Sequence, residues 1–235
     1  MTQKESQEAP AAAEAAPALS GEQIREAASA AVREGTDIRS KVHDLTLLAL
    51  KKRRFDRHGL RDVVRAVTEG IALGAEKSRG DMRQALSDAF RGLDQALVKS
   101  AEAGSTALKQ LATSSKDFSD HEFKQALANM RKLEDDFLST VEQVADAASE
   151  KVRPELRKLL STARHSGTDT GKQVAAAMGE LAQRFAAASL DVTIAGLEAA
   201  SEFGARFAQI ASGVLAGLAD ALREPEKKEE TKKES

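Results

Sequence analysis

Residues 174–222 read VAAAMGELAQRFAAASLDVTIAGLEAASEFGARFAQIASGVLAGLADAL, the longest and most apolar run in the chain. Alternating steps of four and three from Leu190 give Leu190, Ile194, Leu197, Ser201, Gly204, Ala208, Ala211, Leu215, Leu218 and Leu222, a seven-residue repeat without a charge. Such a repeat is one buried seam of a helix. A second uncharged series runs beside it, through Gly196, Ala200, Phe203, Phe207, Ile210, Val214, Gly217 and Ala221. Two adjacent apolar ribbons require two partners or one broad apolar surface, and a helix that is apolar nearly all round belongs in an interior.

A bilayer does not fit as that interior. A spanning helix needs about 20 predominantly apolar residues, whereas the uncharged run from Phe207 to Ala219 is shorter and consists largely of Ala, Gly and Ser. Small residues at four-residue spacing (Gly196, Ala200, Gly204, Ala208, Ser212, Ala216) admit close approach of another backbone. The stretch therefore predicts the central helix of a bundle or oligomer, or a ribbon that opens onto a hydrophobic surface. On either reading the interaction surface is Leu190, Ile194, Leu197, Phe203, Phe207, Ile210, Val214, Leu215, Leu218 and Leu222.

The rest of the chain repeats the pattern. Ser20 and Gln23 form a capping box, after which Ile24, Ala28, Ala31, Gly35, Ile38, Val42, Leu45 and Ala49 keep heptad steps. Leu60, Val64, Val67, Ile71 and Gly74 follow, and after a four-residue slip at Ser78–Asp81 the seam resumes at Met82, Leu86, Ala89, Leu93, Ala96, Ser100, Ala103 and Ala107. Two consecutive steps of four resemble a stutter, so continuity is the expectation there, with a turn as the alternative. Ser119 and Glu122 form a second capping box, flanked by Phe118 and Phe123 as a hydrophobic staple. The seam from Phe123 runs through Leu127, Met130, Leu133, Phe137, Val141, Val144 and Ala148 to Pro154, which predicts a kink or restart. In the turn at His165–Lys172, Thr168, Asp169 or Thr170 caps the final helix.

The predicted architecture is all-α, with long amphipathic helices in an elongated bundle or coiled coil. Helices are expected at about 20–54, 57–112, 120–164 with a kink at Pro154, and 172–222. Residues 1–19, rich in Ala, Pro and Glu, and the charged end 223–235 read as disordered tails. AVREG at Ala31–Gly35 echoes in AVTEG at Ala66–Gly70 five heptads later, which reads either as two related helices that pair by similar rules or as a chance match in an alanine-rich chain. Glycines on those seams weaken the helix by up to about 1 kcal/mol each unless close approach offsets it.

Composition narrows the chemistry. The 235 residues carry a formal charge of −2 and a pI near 6.2, which argues against nucleic acid as the main partner. The absence of cysteine removes thiol chemistry and thiolate metal sites. With eight Phe as its only aromatics, an alanine-rich chain has little with which to line a deep ligand pocket. The opening MTQKESQEAP lacks the basic-then-apolar order of a secretory leader, so a cytoplasmic location is the default expectation, with a place peripheral to a membrane or granule as the variant.

Each apparent motif has a simpler reading. GTDTGK lacks the first Gly, the closing Ser/Thr and the preceding strand of a phosphate loop. His43, His58, His121 and His165 have no metal-ligand spacing. Glu134, Asp135 and Asp136 are adjacent on a helix and read as a solvated face. Lys51, Lys52, Arg53, Arg54 and Arg57 complement a helix C-terminus, with an anionic-surface patch as the functional alternative. No nucleophile and base pair up. The expectation is a protein that is not an enzyme, with no cofactor, metal, small-molecule substrate or nucleic acid.

The repeated Ala-Val-x-Glu-Gly, the stretch HDLTLLAL and the closing ASGVLAGLADALRE resemble an uncharacterised bacterial all-helical family, a domain of unknown function spanning about Gly21 to Arg223. That resemblance implies a fold class and no activity. In composition the chain is similar to phasins, which coat polyester storage granules, and to apolipoprotein-like proteins. Two functions follow as expectations: self-association or binding of another helical protein through heptad seams, or an amphipathic coat on a granule or membrane surface.

Overall fold

The computed structural model describes residues 19–51, 57–114, 128–187 and 209–216. Helix α1 (Gly21–Glu34) starts where the capping box predicts: Ser20 Oγ accepts the Gln23 N–H, and the Gln23 side chain accepts the Ser20 N–H at 2.8 Å. The helix then stops where a seam residue was expected. Gly35 takes a left-handed conformation (φ 76°), followed by Asp37 at φ 51°, so the single helix expected over 20–54 divides into α1 and α2 (Ile38–Lys51). A glycine just past a helix end releases the chain from helical geometry at low cost. Its place in a heptad does not override that freedom.

The same correction applies at Ser78–Asp81, where continuity was expected. α3 (Arg57–Lys77) ends there and α4 (Met82–Ser114) begins. Ser78 Oγ accepts the Gly80 N–H, while Asp81 Oδ1 accepts the N–H groups of Arg83 and Gln84. Short polar side chains thus satisfy the orphan donors of a new helix, and the slip is a cap, not a stutter. Residues 128–131 are helical before a turn at Lys132, and α5 covers Leu133–Ala147. Ala148 is extended, and α6 (Arg153–Ser166) restarts with Pro154 in its first turn, as the proline predicted. α7 (Asp169–Ala187) starts three residues before the expected boundary at 172, and residues 209–216 are again helical. The second capping box at Ser119, both ends of the chain and most of the final apolar run lie outside the described residues.

No strand occurs among the described residues, and the helices form an all-α bundle. α1 lies along α3, α2 along α4, α5 along α3, and α7 along α4. Contact registers give the directions. On α3, Gly70 meets Arg25 and Ala28 while Gly74 meets Ser29 and Val32, so α1 and α3 run parallel. Arg57 reaches Asp136 and Arg65 reaches Gln143, so α5 runs parallel to α3 as well. α6 turns back along α5, with Arg157 on Asp146 and Arg164 on Glu142. α6 and α7 then follow α4 end to end, tied at Arg83–Glu155, Asp94–Thr170 and Lys109–Glu180.

Most of the predicted seam positions among the described residues lie in the core. Ile24, Ala28, Val42, Val67, Leu86, Leu93, Phe137, Val141, Leu156 and Leu160 share one buried cluster, in which Phe90 stacks on Phe137 with ring centroids 5.2 Å apart. The helices also bury flanking residues such as Leu47, Leu50, Val63 and Leu97, because a helix with several neighbours needs a wider apolar face than a single seam. A second, smaller cluster joins Ala101, Leu108 and Met130 to Val174, Ala177 and Leu181 of α7.

Candidate functional site

Asp94 of α4 is an acid on an apolar face, one turn from Phe90 and beside Leu93 and Leu97, and it is 7% exposed. Its carboxylate accepts the N–H of Asp169 at 2.9 Å, the N–H of Thr170 at 3.0 Å and the Thr170 hydroxyl at 2.6 Å. From α5, Glu134 Oε1 accepts the Thr168 N–H at 3.0 Å and its hydroxyl at 2.6 Å, while Thr168 Oγ1 accepts the Gly171 N–H at 2.9 Å. The first N–H groups of α7, which have no partner within their own helix, are therefore satisfied by carboxylates from two other helices. Those negative charges also lie at the positive end of the helix dipole. GTDTGK does receive anions, and those anions are the protein's own side chains. A Cβ at Gly171 would overlap the Glu134 carboxylate, so the small residue is what admits it.

The acidic run at 134–136 is thus not the solvated face the sequence suggested. Glu134 ties α5 to α7, and Asp136 accepts a hydrogen bond from Arg57 at 2.7 Å. That hydrogen bond holds the Asp136 carboxyl below the usual carboxylate range, against partial desolvation, and raises the Arg57 guanidinium. Asp135 alone of the three is exposed. Similar exposed ties join Arg83 to Glu155 and Arg164 to Glu142, the latter lowering the Glu142 carboxyl.

The predicted basic patch separates. Lys51 is half-buried at the end of α2, Arg57 is bound to Asp136, and Lys52, Arg53 and Arg54 lie outside the described residues. Of the predicted interaction surface, Leu215 is fully buried and Ile210 and Val214 pack partly buried on the main core, with Ala211 buried beside them. Leu190, Ile194, Leu197, Phe203, Phe207, Leu218 and Leu222 lie outside the described residues. Among the described residues, no helix is long and apolar enough to cross a membrane.

A cleft of about 520 Å³ opens where α1, α3, α5 and the 148–152 turn meet. Ala72, Val144, Ala147, Ala148 and Val152 line it beneath a polar rim that includes Arg25, Arg65, Glu69 and Glu76. Leu73 stands at its edge, 39% exposed, the one large apolar side chain so placed among the described residues. Sequence reasoning missed both Asp94 and Leu73. Asp94 left a visible signal, an acid flanked by apolar residues at helical spacing; Leu73 did not, because one leucine among many carries no signal until its neighbours are known.

No curated protein and no solved structure matches the chain. A family of unknown function (DUF6781) matches residues 14–224, a span that takes in every described helix. The chain belongs to that family of unknown function.

Proposed function

We propose that the chain is a non-catalytic helical interaction protein that self-associates or binds another helical protein. One observation carries the reading: the buried Asp94 and the half-buried Glu134 and Asp136 are each committed to another helix. Such ties hold helices in register and leave the outer faces for contact. Seams in the described helices pack within the chain, so association falls to surfaces outside those seams, the cleft beside Leu73 among them.

The alternative, a phasin-like coat on a granule or membrane surface, rests on the apolar ribbons that the sequence pattern gives residues 190–222. It requires Ala211 and Leu215, which are buried in the bundle, to leave it for the surface. Density-gradient flotation of the full chain with anionic vesicles and with polyester particles, alongside light scattering after gel filtration, separates the two. A discrete helical oligomer that stays at the bottom is the expected result. Flotation that is lost when Phe207 and Val214 are replaced by Asp would overturn it in favour of the coat.

A further inference from the structure

We infer that the Leu73 face of α3 is a twofold interface with a second copy of this chain, an inference that rests on the self-association reading. The ridge on α3 that passes through Leu73 at four-residue steps reads Arg65, Glu69, Leu73 and Lys77, the last residue of the helix. All four are exposed or half-exposed. Ridges of this spacing are the ones that interdigitate when two helices pack in the commonest crossing class.

The charges one turn to either side of Leu73 are opposite in sign. Inverting the ridge onto itself sets Leu73 beside Leu73 of the second copy once, on the twofold axis, and Glu69 against Lys77 of the second copy twice. A twofold interface must be self-complementary in this way, since the same patch serves both subunits. Shape agrees with charge: the lining of the cleft next to Leu73 includes Ala72, Val144, Ala148 and Val152, apolar side chains that suit the leucine of the second copy. An aliphatic anchor in a desolvated pocket with charges at its rim is the usual distribution of energy in an interface.

Sedimentation velocity of the full chain over a concentration series tests this. The wild type is expected to dimerise, and L73D to raise the dimer Kd by roughly tenfold or more without loss of helical content by circular dichroism. E69K and K77E each set like charges opposite one another and should each weaken the dimer, whereas E69K/K77E together restore it. Because the chain has no cysteine, L73C gives a single thiol, and mild oxidation should link two copies. A wild type that stays monomeric at tens of micromolar removes the self-association reading and this inference with it. A dimer indifferent to L73D and to the charge exchange leaves self-association standing and overturns this face. Weakening by both single exchanges without rescue in the pair overturns the inverted register.

Discussion

At Asp94 one side chain satisfies two backbone donors and a hydroxyl of another helix; its removal leaves the two N–H groups unpartnered near the core, while the Thr170 hydroxyl keeps its bond to the residue 94 carbonyl. Leaving a buried donor unsatisfied costs about 1–3 kcal/mol, against about 1 kcal/mol for the net worth of an ordinary hydrogen bond. Asp94→Ala is therefore expected to lower the unfolding free energy by about 2–3 kcal/mol in urea titration, and Asp94→Asn, which keeps one acceptor oxygen, by less. Equal stability of Asp94→Ala and wild type would show that α7 does not depend on this tie. The aspartate was readable in advance as an acid among apolar neighbours. Its partner was not, because Thr170 is 76 residues away and periodicity says nothing about which helices meet.

Between elements, the two echoed pentapeptides end in glycines with opposite uses. Gly35 lies in open space with positive φ and ends α1, while Gly70 remains helical and lets α1 approach. A Cβ on Gly70 would come within 3.0 Å of the Arg25 carbonyl oxygen and the Ala28 side chain, and the backbone oxygen cannot move aside as a flexible side chain would. Gly70→Ala should gain up to about 1 kcal/mol of helix propensity and still be destabilising by about 1–3 kcal/mol, as overpacking generally is. A rise in the urea midpoint would mean that α1 and α3 sit farther apart in solution. The seams were legible because helical periodicity is local: Leu86, Ala89, Leu93 and Ala96 could be named before any neighbour was known, and all are buried. The breaks at Gly35 and Ser78–Asp81 were harder. A heptad can continue in register across a cap, so phase alone does not distinguish a rod from two helices.

For the whole molecule, several ion-paired carboxylates titrate below their ordinary range in the folded state: Glu34 through its hydrogen bond from Lys41, Asp136 through Arg57 and Glu142 through Arg164. A carboxyl with a depressed folded pKa binds fewer protons than in the unfolded chain, so its stabilisation is complete above about pH 5 and is lost as pH falls through the unfolded and then the lower folded values. The urea midpoint should accordingly be lower at pH 3 than at pH 7, and a midpoint unchanged at pH 3 would mean these pairs do not persist in solution. The all-helical class was legible in the sequence as a whole. Which outer face remains for a partner was not, since it is defined by what the other helices leave uncovered. The parallel course of α6 and α7 along α4 bears on how the chain is made. Their ties to α4 join residues 71 to 76 apart. At a synthesis rate of about 5–20 residues per second, each stretch of α4 leaves the ribosome roughly 4–15 s before its partner exists. During that interval α1 to α3 can already cover one side of α4, while Asp94 and Leu108 wait on the other, so the nascent chain presents a long unfilled groove that its own later helices must reach before another chain does.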